Sequence, residues 1–185
     1  MKNILYLLVI LCACSKSKIP AVNSEFTNYT IQKGKHYCDQ SSIKAITVTN
    51  EMKFAVVFDS SCVYTFDKNP NQYDVNKLYG FSDGGDNHIN SARIGWSWNN
   101  GALHLYAYSY DNGVLENEEI TTVPIGQSIS CSIALTSGYY VYTVSGVKLY
   151  QKRTSQALSV TGYQQYPYFG GDEVAPQLIT IKIKS

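Results

Sequence analysis

The stretch ALHLYAYSYDNG, residues 102–113, alternates strictly between two kinds of side chain. Leu103, Leu105 and Ala107 share one parity, and His104, Tyr106, Tyr108 and Tyr110 share the other. A period of two belongs to a β-strand. Asp111-Asn112-Gly113 then supplies the positive φ that a tight hairpin needs. One aliphatic face on a core and one face left free is the pattern of an antiparallel sheet covered on one side. The free face here is aromatic, and that is the feature a function must explain.

The same alternation recurs along the chain. Strands are predicted at Ile43–Thr49, Lys53–Asp59, Val63–Phe66, Ala92–Trp98, Ala102–Tyr110, Glu119–Val123, Ser128–Leu135, Tyr139–Val144, Val147–Lys152, Gly162–Phe169 and Gln177–Ile183. Turn dipeptides separate them: Asn100-Gly101, Asn112-Gly113, Ser137-Gly138 and Ser145-Gly146. No window holds a helical period, so the fold class is all-β, an antiparallel β-sandwich. In Ser128–Leu135, Cys131 shares the face of Ile129, Ile133 and Leu135 and reads as a buried small hydrophobe.

Composition narrows the function. Charged residues are 16% of the 185 and the formal net charge is +1, a balance unlike that of a basic nucleic-acid binder. Sixteen tyrosines against six phenylalanines and two tryptophans favour half-buried surfaces that meet ligands.

The N-terminus reads as an address. Lys2 precedes an apolar run from Ile4 to Ala13, too short to span a bilayer and laid out like a signal peptide. Leu11-Cys12-Ala13-Cys14 resembles the bacterial lipobox. The resemblance implies a signal peptide over residues 1–13, lipidation of Cys14, a lipid-anchored tether over 14–35 and the β-sandwich domain over 36–185. It places the chain in a bacterial cell envelope, held to the outer membrane by its acyl chains. The alternative is an ordinary signal peptide cut nearby. Export exposes cysteines to oxidation, so Cys38 and Cys62 are disulfide candidates. No C-x-x-C spacing is present to hold zinc, and no cofactor-binding motif is found.

Four constellations are candidates for chemistry. If Trp96 and Trp98 enter the core, Arg93 shares the open face of His104, Tyr106 and Tyr108. Flat rings pack on the C–H faces of sugars, and a guanidinium forks onto a uronate carboxylate. The bland alternative is cross-strand packing. YQQYPYFGGDEVAP, residues 163–176, would bring Gln164, Tyr166 and Tyr168 to the same groove, or else its Gly-Gly-Asp is turn chemistry alone. Asp83-Gly-Gly-Asp-Asn-His-Ile-Asn90 offers oxygen ligands for calcium, or is a surface loop. Glu116-Asn-Glu-Glu119 is a solvated turn more readily than a glycosidase pair.

Together ARIGWSW, ALHLYAYSYDNG, YPYFGGDEVAP and the terminal QLITIKI resemble the concanavalin A-like jelly roll of small Bacteroidetes lipoproteins. More distantly, residues 40–185 are similar to alginate-lyase-type polysaccharide lyases. That resemblance implies a cleft lined by an Arg-bearing strand, a Gln-x-His strand and a Tyr-Phe-Lys-Ala-Gly-x-Tyr strand. Arg93 stands in the first and His104 in the second, where Ala102-Leu103 replaces Gln-x. Tyr168-Phe169-Gly170-Gly171 stands in the third without its lysine. The expected function is non-catalytic binding of a polysaccharide or oligosaccharide. The alternatives are β-elimination on an acidic glycan, with Tyr106 or His104 as base and Arg93 on the carboxylate, and an envelope scaffold that contacts protein.

Overall fold

The computed structural model describes residues 25–66 and 70–185. The expected signal peptide, residues 1–13, and the expected lipidation site, Cys14, lie outside the described residues. Strands numbered in chain order pair into two antiparallel sheets of six. The first sheet runs β1 (Thr27–Ile31), β12 (Ile179–Lys184), β3 (Glu51–Phe58), β8 (Ser128–Thr136), β9 (Tyr139–Val144) and β10 (Val147–Lys152). The second runs β2 (Ala45–Thr49), β11 (Ser159–Gln165), β4 (Asn76–Ser82), β5 (Ser91–Asn99), β6 (Ala102–Asp111) and β7 (Val114–Val123). The architecture is the expected jelly-roll β-sandwich.

Alternation explains why the two sheets stack. Phe54, Val56 and Phe58 of β3 and Ile129, Cys131 and Ile133 of β8 are buried on the inner face of the first sheet. Ala92, Ile94 and Trp96 of β5 and Leu103, Leu105 and Ala107 of β6 meet them from the second. Each fully buried large side chain contributes roughly 1.5–3 kcal/mol. Trp96 is the largest of them, its ring centroid 5.6 Å from Phe58, 5.9 Å from Tyr64 and 6.0 Å from Phe169. Trp98, also expected in the core, is only partly buried against it. Asn100-Gly101 and Asn112-Gly113, all at positive φ, close β5–β6 and β6–β7 as two-residue hairpins.

Several tyrosines are core residues with a polar tip at its rim. The Tyr142 hydroxyl donates to the Tyr108 carbonyl at 3.3 Å. The Tyr140 hydroxyl donates to Asp83 Oδ2 at 2.7 Å, and Arg153 Nε donates to the same oxygen at 2.6 Å. Asp83 follows β4, whereas Tyr140 belongs to β9 and Arg153 directly follows β10, so this triad ties the two sheets together. Arg153 also donates from Nη1 to the Ser155 and Ala157 carbonyls.

The structure corrects the sequence reading in several places. The tether was expected to reach residue 35, but Thr27–Ile31 pairs with β12 as an edge strand, because Tyr29 and Ile31 have core to bury against. Asn76–Ser82 is a central strand, almost wholly buried and so without the polar–apolar alternation that reveals half-buried strands. Val63–Phe66 is irregular, and Glu116–Glu119 lies within the exposed edge strand β7. Cys38 and Cys62 do not pair: both are buried free thiols, and Cys62 Sγ faces the Thr180 carbonyl at 3.6 Å. Burial pushes the Cys38 thiol up to about 11. Cys131 is a buried free thiol, as expected. The calcium reading of residues 83–90 loses its first ligand, because the Asp83 carboxylate is committed to Arg153 and Tyr140.

Removing one partner of a buried pair strands the other charge, at a cost of about 3 kcal/mol or more. The Arg153 side chain is 1% exposed. Asp83→Asn is therefore expected to lower stability by about 3 kcal/mol in thermal or urea unfolding. The neighbouring Asp86→Asn, at an exposed site, is expected to change it by less than about 0.5 kcal/mol. Equal effects of the two substitutions would contradict the role assigned to the triad.

Candidate functional site

On the solvent face of the second sheet lies a cleft of about 670 Å³. Its floor is made by β4, β5 and β6. Locking Ile94 and Trp96 into the core turns Arg93 and Gly95 outward, and the register sets Arg93 opposite Tyr108 on β6 and Gly80 on β4. Gly80 makes the floor possible, since a Cβ there would meet the Ala92 carbonyl at 2.1 Å and Arg93 Cα at 2.7 Å. The walls come from the 36–43 and 166–172 segments, which are joined by a bridge between Tyr37 and Tyr168.

Arg93 is the centre of the floor. It is 7% exposed, and its guanidinium lies 5.2 Å from the centre of the Tyr108 ring. Among the described residues no carboxylate is paired with it, and its Nε has no hydrogen-bond partner. Burial lowers its pKa, and the neighbouring Tyr108, Tyr110 and Tyr142 oppose that shift. Burial pushes the Tyr108 phenol up to about 12.

Lys77 is the second cation. Its ammonium donates to the Gly170 carbonyl at 2.9 Å and sits 5.1 Å from the Tyr108 ring centre and 5.6 Å from that of Tyr168. Desolvation, reinforced by Arg93, pulls its pKa down to about 8, with Asp74 as the opposing charge. The Tyr168-Phe169-Gly170-Gly171 segment has no lysine of its own, and here one reaches it from β4. Around the two cations stand aromatic rings. Tyr168 stacks on His36 at 5.1 Å and takes the Tyr37 ring edge-on at 4.9 Å. Across the cleft, His88 meets Tyr110 at 5.5 Å. Tyr37 is 66% exposed, so its ring is open to a ligand.

Of the residues proposed from sequence, Arg93, Tyr108, Gln164, Tyr166 and Tyr168 line this one cleft. Gln164 does so as a strut, donating from Nε2 to the Gly80 carbonyl at 2.8 Å. Tyr166 is half core, with its ring against Tyr29 and Tyr79 and its hydroxyl 3.2 Å from Ser42 Oγ. His104 and Tyr106 are not in the lining. They lie further along β6, where His104 Nδ1 is 3.0 Å from Glu119 Oε1 and Nε2 is 3.2 Å from the Asn99 carbonyl. The Tyr106 hydroxyl bonds Ser97 Oγ at 3.0 Å. Alternation put these two on the correct face, but only depth of curvature and loop cover decide which part of a face becomes a cleft. Lys77, Tyr37, His88 and Tyr110 were missed as site residues. Tyr110 shares the parity of the aromatic face, a signal present in the sequence, whereas Tyr37 and His88 lie on loops and Lys77 on the buried strand β4, where alternation carries none.

The set can bind an anion in an aromatic slot: two cations, one of them deeply buried, with rings above and beside them. Asp172 also lines the cleft. No group of three or more His, Cys, Asp or Glu side chains able to hold a metal ion occurs among the described residues.

Comparison with known proteins agrees with the architecture. No family model matches the chain, and no curated protein matches its sequence. Among solved structures, the marine PL7 alginate lyase AlyA1 from Zobellia galactanivorans superposes with a TM-score of 0.53 at 12% identity, over 94% of this chain and 83% of that one. Alginate lyase AlyC3 superposes with a TM-score of 0.51 at 10% identity, over 89% of each chain. Its complex with dimannuronate gives 0.53 at 11%, over 88% of this chain and 73% of that one. At these identities the likeness establishes the shared jelly-roll fold.

The depressed pKa of Lys77 is directly measurable. Titration of the lysine Cε resonances by NMR is expected to show one midpoint near 8 that disappears in Lys77→Arg. All lysines titrating near the ordinary value of about 10.4 would contradict the desolvated placement.

Proposed function

We propose that the cleft binds an acidic oligosaccharide without cleaving it, on a chain exported and lipid-anchored through Cys14 to the outer membrane. One observation carries the reading: Arg93 is buried in the cleft floor, and among the described residues no carboxylate is paired with it. A buried charge is costly unless an opposite charge meets it, and the open side of this guanidinium is the cleft. A uronate carboxylate satisfies it by bidentate hydrogen bonding, which gives geometry as well as charge. Lys77 adds a second contact to the same anion. Tyr37, Tyr110 and Tyr168 offer ring faces for the apolar sides of the sugar. The fold shared with alginate lyases, one of them solved with dimannuronate, is consistent with a ligand of this class.

A second reading, β-elimination, is favoured by one observation. Lys77 is a partly deprotonated amine near pH 8 in the same space as Arg93, so a base and a carboxylate neutraliser share one cleft. The base first expected for that chemistry, His104 or Tyr106, lies outside it. We hold binding to be the function because Lys77 is committed to the Gly170 carbonyl and burial pushes the Tyr108 phenol up to about 12.

Affinity electrophoresis through gels containing uronate polysaccharides tests both readings. Arg93→Ala is expected to abolish retardation, and Tyr168→Ala to weaken it by roughly 1–3 kcal/mol, the range of stacking on a planar ring. Absorbance of unsaturated uronates is expected to stay flat, and a steady rise lost in Lys77→Ala would replace binding by lyase activity. Unchanged retardation in Arg93→Ala would refute the assigned ligand.

The pH dependence has a definite sign. An acidic ligand favours charged Lys77, so affinity is constant below the free-state pKa of about 8 and falls as pH rises through it. Lys77→Arg, charged throughout, is expected to abolish that fall in titrations at pH values from about 7 to about 10.

A further inference from the structure

The opposite face of the molecule carries a second charge pattern. The six strands of the first sheet contain five lysines, Lys53, Lys148, Lys152, Lys182 and Lys184, and one side-chain carboxylate, Glu51. All five lysines have the outward parity, because their neighbours Phe54, Leu149, Gln151, Ile181 and Ile183 turn inward. Glu51 is held by Lys53 at 2.9 Å, which leaves the face strongly basic. The strands of the second sheet carry the reverse balance, with Lys77 and Arg93 against Asp111, Glu116, Glu118 and Glu119.

The register distributes the lysines over the whole sheet. Lys182 stands opposite Val57, Lys184 opposite Ala55 and Lys53 opposite Ser132. Ser132 stands opposite Thr143, and Thr143 opposite Lys148. Between Lys184, Lys182, Lys53 and Lys148 the outward side chains are alanine, serine, threonine and valine, above which the ammonium groups rise, while beyond Lys148 the exposed rings of Tyr150 and Tyr139 flank Lys152. A shallow depression of about 530 Å³ lies among them, with Lys53, Lys184 and the half-exposed ring of Phe26 on its edge.

We propose that this face lies flat on an anionic lipid surface and thereby turns the glycan cleft, which is on the other sheet, away from the membrane. Lipid is favoured over a soluble polyanion by where the chain enters. β1 is the edge strand of this same basic sheet, and Phe26 immediately precedes it. Cys14 lies twelve residues before Phe26, a reach of at most about 40 Å when extended. Each basic side chain close to an anionic leaflet strengthens association about five-fold, within a Debye length of roughly 10 Å. The inference rests on the lipid-anchor reading for the direction of approach alone.

The test uses the chain from Ser15 onward, which keeps every described strand and lacks the lipidated cysteine. It is sedimented with vesicles of phosphatidylethanolamine and phosphatidylglycerol, and separately with vesicles of phosphatidylcholine. Binding to the anionic vesicles alone is expected, weakening as salt is raised. The triple variant K148E/K182E/K184E is expected to lose at least about 100-fold in vesicle affinity while keeping its retardation in uronate gels, which shows it folded with its cleft intact. Arg93→Ala is expected to do the opposite. Equal sedimentation with both vesicle types, or a triple variant that binds like the parent, overturns the proposal. So does binding to soluble heparin without binding to vesicles. A chain that binds uronate gels but no vesicle leaves the proposed function standing and removes this inference alone.

Discussion

The packing of Trp96 between the sheets is the interaction on which the rest depends. Its ring meets Phe58 from the opposing sheet and Tyr64 and Phe169 from the connections. A strand slipped by one residue would turn it out of the core and carry Arg93 in between the sheets, so this side chain favours the observed register of β5. Everything functional on the second sheet follows from that register. Arg93 must face outward, Tyr108 must stand opposite it, and Gly80 must leave room beside it. The hydrophobic core thus positions a charge that the core itself could not tolerate.

The cleft is built by cost and compensation. Desolvation disfavours both Arg93 and Lys77 as cations, and the nearby Arg93 lowers the pKa of Lys77 further. Their placement over Tyr108 offsets part of this through the ring quadrupole. For Lys77 the Gly170 carbonyl and Asp74 offset more of it, whereas among the described residues no carboxylate is paired with Arg93. The Asp83–Arg153–Tyr140 triad solves the same problem in the other way, supplying the carboxylate internally and linking the sheets. One buried arginine has a partner and is structural, while the other has none and faces a cleft.

Much of this was legible in the residues. Period-two alternation located most of the strands and the inner face of β5, β6, β8 and β12, because half-buried strands write their environment into parity. β4 was invisible because Leu78, Tyr79, Gly80 and Phe81 are all buried, so parity carries no signal there. Lys77 was lost with it. β1 was mistaken for tether because five residues between polar segments look like linker until β12 is known to lie beside them. His104 and Tyr106 show the limit of face-level reasoning. They share parity with Tyr108, yet Glu119 and Ser97 occupy them and the cleft forms two residues further along.

The most direct test of the central claim is calorimetric titration of the chain with an oligouronate and with the same oligosaccharide after its carboxylates are reduced to alcohols. If Arg93 and Lys77 bind through a carboxylate, the acidic oligosaccharide binds and the reduced one loses most or all of its affinity. Equal affinity for the two, or affinity for the reduced form alone, would contradict an anion site and leave the tyrosines as the whole of the recognition.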